Sequence, residues 1–188
     1  MFENGTNKGT GFGPWIFATT NNGVYDATMN TPLDMGNIST SGKTFSIRAW
    51  DFNNNKASAY RTMNQDLPVG CTFSFRLAAA YRNGKKGFNL YRDSEWGNFL
   101  FNFEISNDQY YFNGIALGWS YASESIFDIN VFKPNSNNVT ITVSRSIGNN
   151  SASVTLQGAV RGFQFYVENT TDSNLLNSLL FNNLQYYL

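Results

Sequence analysis

The chain has 188 residues, 41% of them hydrophobic, which suffices for one domain with a substantial core and leaves little for a second. Charged residues make up 14% and thirteen basic side chains balance thirteen acidic ones, so there is no electrostatic footprint for nucleic acid or an anionic membrane. Histidine is absent and cysteine occurs once, at Cys71, which excludes histidine-based nucleophilic catalysis, histidine- or cysteine-ligated metals and intrachain disulfides.

The excess lies in aromatic residues (17 Phe, 10 Tyr and 4 Trp) and in asparagine, of which there are 27. Residues 1–8 read as a flexible tail. The start lacks a basic stretch followed by an apolar one, and no run approaches the ~18 apolar residues of a membrane span. Trp15, within Gly13-Pro14-Trp15-Ile16-Phe17, reads as core. From there period-2 alternation dominates, the signal of strands with one buried face. Phe45, Ile47 and Ala49 alternate with Ser46, Arg48 and Trp50; Phe73, Phe75 and Leu77 alternate with Thr72, Ser74 and Arg76. Phe99, Phe101, Phe103 and Ile105 alternate with Leu100, Asn102 and Glu104. Val139, Ile141 and Val143, then Phe163, Phe165 and Val167, continue the pattern, the latter against Gln164, Tyr166 and Glu168. Turn chemistry separates the runs, as at Arg82-Asn83-Gly84, Asn113-Gly114 and Gly148-Asn149-Asn150, where Asn and Gly tolerate left-handed backbone. Residues 173–180 are expected to form one helical turn before a last strand over 180–188. Ten to twelve short strands in one domain, 1–188, predict an all-β fold: a two-sheet antiparallel β-sandwich, or jelly roll.

The outward positions predict a binding face. Arg48, Trp50, Arg76, Asn89, Tyr91, Asn102, Glu104, Gln164, Tyr166 and Glu168 combine flat rings with amides, guanidinium groups and carboxylates. Sugars are held by such sets: a ring stacks on the C–H face of a pyranose while planar polar groups take its hydroxyls. The same residues would also serve as a cover for the core edge with its polar groups facing water. Trp96, in Asp93-Ser94-Glu95-Trp96-Gly97, and Trp119, in Gly118-Trp119-Ser120-Tyr121, sit in polar loops, where recognition residues concentrate.

Several motifs taken together, Gly11-Phe12-Gly13-Pro14-Trp15, Ala57-Ser58-Ala59-Tyr60-Arg61, Leu67-Pro68-Val69-Gly70, Gly87-Phe88-Asn89-Leu90, Phe99-Leu100-Phe101-Asn102-Phe103 and Phe181-Asn182-Asn183-Leu184, resemble the concanavalin A-like (laminin G-like, lectin/glucanase) β-sandwich domains of secreted bacterial carbohydrate-active proteins. The likeness spans about residues 9–188. It implies a jelly-roll sandwich with a concave sheet that binds glycans, and it carries over no binding residue.

Catalysis without histidine needs paired carboxylates. The Glu-x-Asp-x-Glu strand of the glucanases in this superfamily is missing; the nearest approaches are Asp93-Ser94-Glu95, which reads as a turn, and Glu104 with Asp108. No catalytic residue is therefore expected. Asp51-Phe52-Asn53-Asn54-Asn55 is rich in oxygen but lacks the Gly and Glu of a calcium loop, and reads as a hairpin turn. No cofactor is expected, although the resemblance leaves room for a structural calcium elsewhere. The expected function is non-catalytic binding of a polysaccharide or oligosaccharide, in a secreted, extracellular or cell-surface setting and within a larger protein. The first alternative is a structural or adhesive subunit that contacts protein through an edge strand; a glycoside hydrolase or polysaccharide lyase ranks behind it.

Overall fold

A computed structural model describes residues 11–20, 23–29, 38, 44–49, 55–79, 81–172, 174 and 177–188, with only the backbone path for 23–29. The expected tail (residues 1–8), Trp50 and residues 51–54 of the oxygen-rich loop lie outside the described residues.

Fourteen strands form among the described residues. In chain order they are β1 (Phe12–Thr20), β2 (Gly23–Met29), β3 (Thr44–Ala49), β4 (Lys56–Met63), β5 (Thr72–Ala78), β6 (Lys85–Tyr91) and β7 (Phe99–Ser106). There follow β8 (Gln109–Phe112), β9 (Ile115–Ala116), β10 (Ile126–Phe132), β11 (Asn138–Arg145), β12 (Ser151–Gln157), β13 (Gly162–Glu168) and β14 (Ser178–Tyr187). They build two antiparallel sheets of seven, the first in the order β1-β4-β13-β6-β7-β8-β9 and the second in the order β12-β11-β10-β5-β14-β3-β2. The sandwich expected from the alternation is the fold observed.

Turn residues fix where the strands reverse. Asn113 and Gly114 join β8 to β9 with φ of 50° and 82°, the pair of left-handed residues that a tight primed hairpin turn requires. Asn107, between β7 and β8, is left-handed as well.

The inward faces interlock through phenylalanine. Phe73 and Phe75 of β5, Phe88 of β6, Phe101 and Phe103 of β7, and Phe163 and Phe165 of β13 are buried together. Phe165 stacks on Phe181 of β14 at 4.0 Å, and Phe75 meets Phe88 edge-on at 4.9 Å. Each such ring contributes roughly 1.5–3 kcal/mol by leaving water, so this stack is the main cohesion between the sheets. Trp15 joins it at 1% exposure, as expected. Cys71 is a buried free thiol.

Four cations are buried among the described residues, Arg61, Lys86, Lys133 and Arg145, and burial shifts two of them strongly. Arg61 donates from Nε to the Gly13 carbonyl at 2.9 Å and lies over the rings of Phe12 and Trp15; burial lowers its pKa to about 10. Lys86 is fully buried and donates to the Asn83 carbonyl. Burial lowers its pKa to about 7, with Asp172 opposing the shift.

Two sequence expectations are corrected. The helical turn over 173–180 does not extend to its end, because Ser178, Leu179 and Leu180 already pair with Arg48, Ile47 and Ser46 of β3; the inward Leu179 and Phe181 set a strand period there. Phe99 is not an inward partner of Phe101. The register slips between Leu90 and Tyr91 where β6 meets β7, so Leu100 and Phe101 are both buried while Phe99 is 48% exposed.

Candidate functional site

Register determines which outward residues of the first sheet become neighbours. Tyr60 of β4, Gln164 of β13, Asn89 of β6 and Asn102 of β7 are successive Cα partners, so they form one row across four strands. The next row runs Ser58, Tyr166, Gly87 and Glu104, and the one beyond it places Glu168 between Lys56 and Lys85. On the other side of the Tyr60–Asn102 row, Thr62, Gly162 and Tyr91 are partners, with Phe99 opposite Tyr91. Residues of these rows and the Asn113-Gly114 turn line an open groove of about 510 Å³.

The amides of the groove floor are wired to one another. Gln164 Oε1 accepts from Tyr91 OH at 2.7 Å and from Asn89 Nδ2 at 2.8 Å, while Gln164 Nε2 donates to Ser58 Oγ at 3.1 Å. Asn102 Nδ2 donates to Asn89 Oδ1 at 2.8 Å and to Tyr166 OH at 2.9 Å, and Tyr166 OH donates to Glu104 Oε2 at 3.3 Å. Planar groups tied on several sides present fixed donors and acceptors, which reduces the ordering cost of binding.

Charges in the groove cancel. Lys56 lies 3.6 Å from Glu168, and Lys85 lies 3.7 Å from Glu104. Burial pushes the Tyr166 phenol up, and the Glu104 charge adds to the shift. Tyr91 is also raised by burial, against the bond from Asn89. Both phenols therefore stay protonated donors at neutral pH.

The rings of Tyr60, Tyr91 and Phe99 line one end of the groove, and Trp96 packs against the two tyrosines from beside it. The β6–β7 hairpin closes at its base through Arg92 N–H to the Asn98 carbonyl at 2.8 Å, and Asp93 Oδ1 accepts from Glu95 N at 3.1 Å. This turn carries Trp96 in left-handed backbone, φ 63°. Its ring meets Tyr60 at 5.1 Å and Tyr91 at 5.4 Å, both edge-on. Gly162 makes room for it: a Cβ there would come within 2.7 Å of the indole.

Of the residues predicted from sequence, the structure brings Asn89, Tyr91, Trp96, Asn102 and Glu104 together, along with Gln164, Tyr166 and Glu168. Arg48 and Arg76 are corrected: they belong to β3 and β5 of the second sheet, and Arg76 donates to Asp128 Oδ1 at 2.7 Å. Trp119 is corrected too. It is half-buried against the core, 6.3 Å from the ring of Tyr110, rather than in the groove. Sequence reasoning missed Tyr60, Phe99, Lys56 and Ser58 as site residues. Tyr60 was readable, since Ala57 and Ala59 alternate with Ser58 and Tyr60; Phe99 was not, because its orientation follows from a register slip. Among the described residues no group of three or more metal-ligating side chains comes together.

No family model matches the chain, and no curated protein matches it. Solved structures similar to it are concanavalin A-like β-sandwiches. The legume lectin-like domain from Entamoeba histolytica is 7% identical with a TM-score of 0.47, over 92% of this chain and 89% of that one. The Emp47p carbohydrate recognition domain is 14% identical with a TM-score of 0.45, over 96% and 91%. An alginate lyase from Alteromonas sp. 272 is 12% identical with a TM-score of 0.43, over 87% and 93%. Likeness of this degree concerns the course of the chain and bears on neither ligand nor chemistry.

Proposed function

We propose that the first sheet binds an uncharged oligosaccharide or polysaccharide chain, without catalysis, in the groove between the rings of Tyr60, Tyr91 and Phe99, beside which Trp96 stands, and the lysine–glutamate pairs. The observation that carries this reading is the row Tyr60–Gln164–Asn89–Asn102, an amide floor with rings beside it. Sugar hydroxyls need planar donors and acceptors, and the C–H faces need flat apolar cover. An uncharged ligand is favoured because each groove carboxylate already has its own lysine.

The carboxylates also argue against glycoside hydrolysis. Glu104 and Glu168 stand on β7 and β13, which β6 separates. The two residues lie in different rows and each is drawn to its own lysine, whereas a hydrolytic pair faces one bond with its carboxyls ~5–9.5 Å apart. An extracellular setting belongs to the same proposal and rests on composition.

A structural or adhesive role is the second reading, favoured by β12. This strand is an edge of the second sheet, and its residues Ser151–Gln157 include no charge and no proline, the usual guards of an open edge. A glycan array probed with the protein separates the two. Binding to neutral glycans that Gln164→Ala weakens is the expected result; silence across neutral and acidic glycans overturns the proposal.

A further inference from the structure

The opposite side of the molecule carries two exposed rings that neither the core nor the groove uses. On the outer face of the second sheet, Phe132 of β10 and Tyr187 of β14 are both Cα partners of Thr72 on β5. Their inward neighbours Val131 and Tyr186 are committed to the core, so the alternation turns both rings outward, at 39% and 47% exposure. Flanking one residue on a common strand sets their backbones two strand spacings apart, about 9.5 Å. In the adjoining row Asn130, Ser74 and Gln185 are likewise partners, and they help to line a shallow hollow of about 340 Å³. The charged pair beside it, Arg76 and Asp128, is closed on itself at 2.7 Å.

We propose that this face is a second carbohydrate site, separate from the groove, that lies on the surface of an insoluble, uncharged, β-linked polysaccharide. Alternate residues of an extended β-linked pyranose chain recur at a spacing that matches two strand separations, so Phe132 and Tyr187 stack on every second sugar. Thr72 then faces the sugar between them, and Asn130, Ser74 and Gln185 take hydroxyls at its side. A protein partner fits less well. Protein interfaces are built around a contiguous, desolvated apolar centre, whereas here a threonine and a row of amides interrupt the apolar surface. The inference does not depend on the groove, because the two faces look away from each other across the core.

The test is sedimentation of the whole protein with microcrystalline cellulose and with powdered chitin, together with binding of soluble oligosaccharides. Phe132→Ala/Tyr187→Ala should cut the fraction held on the solid at least tenfold, with soluble binding and the melting midpoint unchanged. Trp96→Ala should do the reverse, lowering soluble binding and leaving retention on the solid in place. The single variants Phe132→Ser and Tyr187→Ser, each at an exposed position, keep the test open if the double variant folds poorly. Three results overturn the proposal: no retention of the unaltered protein on either solid, retention that the variants leave intact, or loss in the double variant of a self-associated species in sedimentation velocity, which would make the face an interface between copies.

Discussion

The loops that carry Trp96 and Trp119 are alike in sequence and end in different places. Each is polar, glycine-bearing and attached to the first sheet, by β6 and β7 in one case and after β9 in the other. Trp96 lies across the open face over Gly162, against Tyr60 and Tyr91. Trp119 sits beside Tyr110, a buried ring of β8, and Tyr121 of the same loop stacks on Tyr110 at 6.1 Å. The vacancy beneath decides the outcome: a strand that offers glycine on its outer face gives an indole a seat there, and a strand with an inward tyrosine near its start draws it to the core margin. A loop tryptophan is thus assigned by the strands beside it rather than by its own surroundings in the chain.

The comparison breaks first at the core that both loops rest on. Phe165→Ala removes a ring stacked against Phe181 and should cost ~3–5 kcal/mol in denaturant unfolding, with both loops losing their order. Trp119→Ala should cost about 2 kcal/mol of stability, part of what a fully buried ring would forfeit, and leave glycan affinity unchanged. Trp96→Ala should do the opposite: a loss of ~1–3 kcal/mol in binding, taken from stacking on nucleobases as the nearest case, with the melting midpoint almost unmoved. Gly162→Val should reproduce that binding loss by pushing the indole off its seat, and titration calorimetry on the pair checks it. If Trp96→Ala lowers the midpoint as Trp119→Ala does, the two loops are equivalent and the distinction fails.

A pH series sharpens the contrast at smaller amplitude. Lys86 has a folded pKa of about 7 against 10.5 in the open chain, so above pH 7 the unfolded state holds the extra proton. Stability should therefore rise as pH climbs from 7 to 9, and it should level off below 7, where both states are protonated. Lys86→Met should flatten that slope. Its anchor Asn83 follows Arg82, whose guanidinium lies 5.9 Å from the Tyr121 ring, so the effect belongs to the Trp119 side, and affinity at the groove should not follow it. The smallest effect expected is that of salt on binding, since the groove charges are already paired.

Most of the wall-to-floor content of the groove was legible from alternation. Asn89, Asn102, Gln164 and Tyr166 declare themselves outward because their neighbours Phe88, Phe101, Phe103, Phe163 and Phe165 are unmistakably inward. Alternation gives the parity of a residue, however, and not its sheet. Arg48 and Arg76 share the parity of Asn89 and stand on the other layer, because the chain changes sheet between β3 and β4 and again on either side of β5. Strand neighbours are chosen by contacts between residues far apart in sequence, and no local pattern encodes them. The slip at Leu90 and Tyr91 is of the same kind: it belongs to a pair of strands, and only the pair reveals that Phe99 faces outward.

The interior placement of the last two strands bears on how the molecule comes into being. β13 lies between β4 and β6, and β14 lies between β5 and β3, so each sheet receives a late segment into its middle rather than at its rim. Until residues 162–187 are available, β4 and β6 have no strand between them, nor do β3 and β5, and four inner edges stay open. Pairings that span so many residues must pay loop-closure entropy before contacts repay it, which places such folds in the slow, millisecond-to-second range. During synthesis the nascent chain therefore carries unpaired phenylalanine-rich strands until residues 162–187 have been made. Its yield should depend on chaperone supply and on temperature during expression far more than its finished stability would suggest.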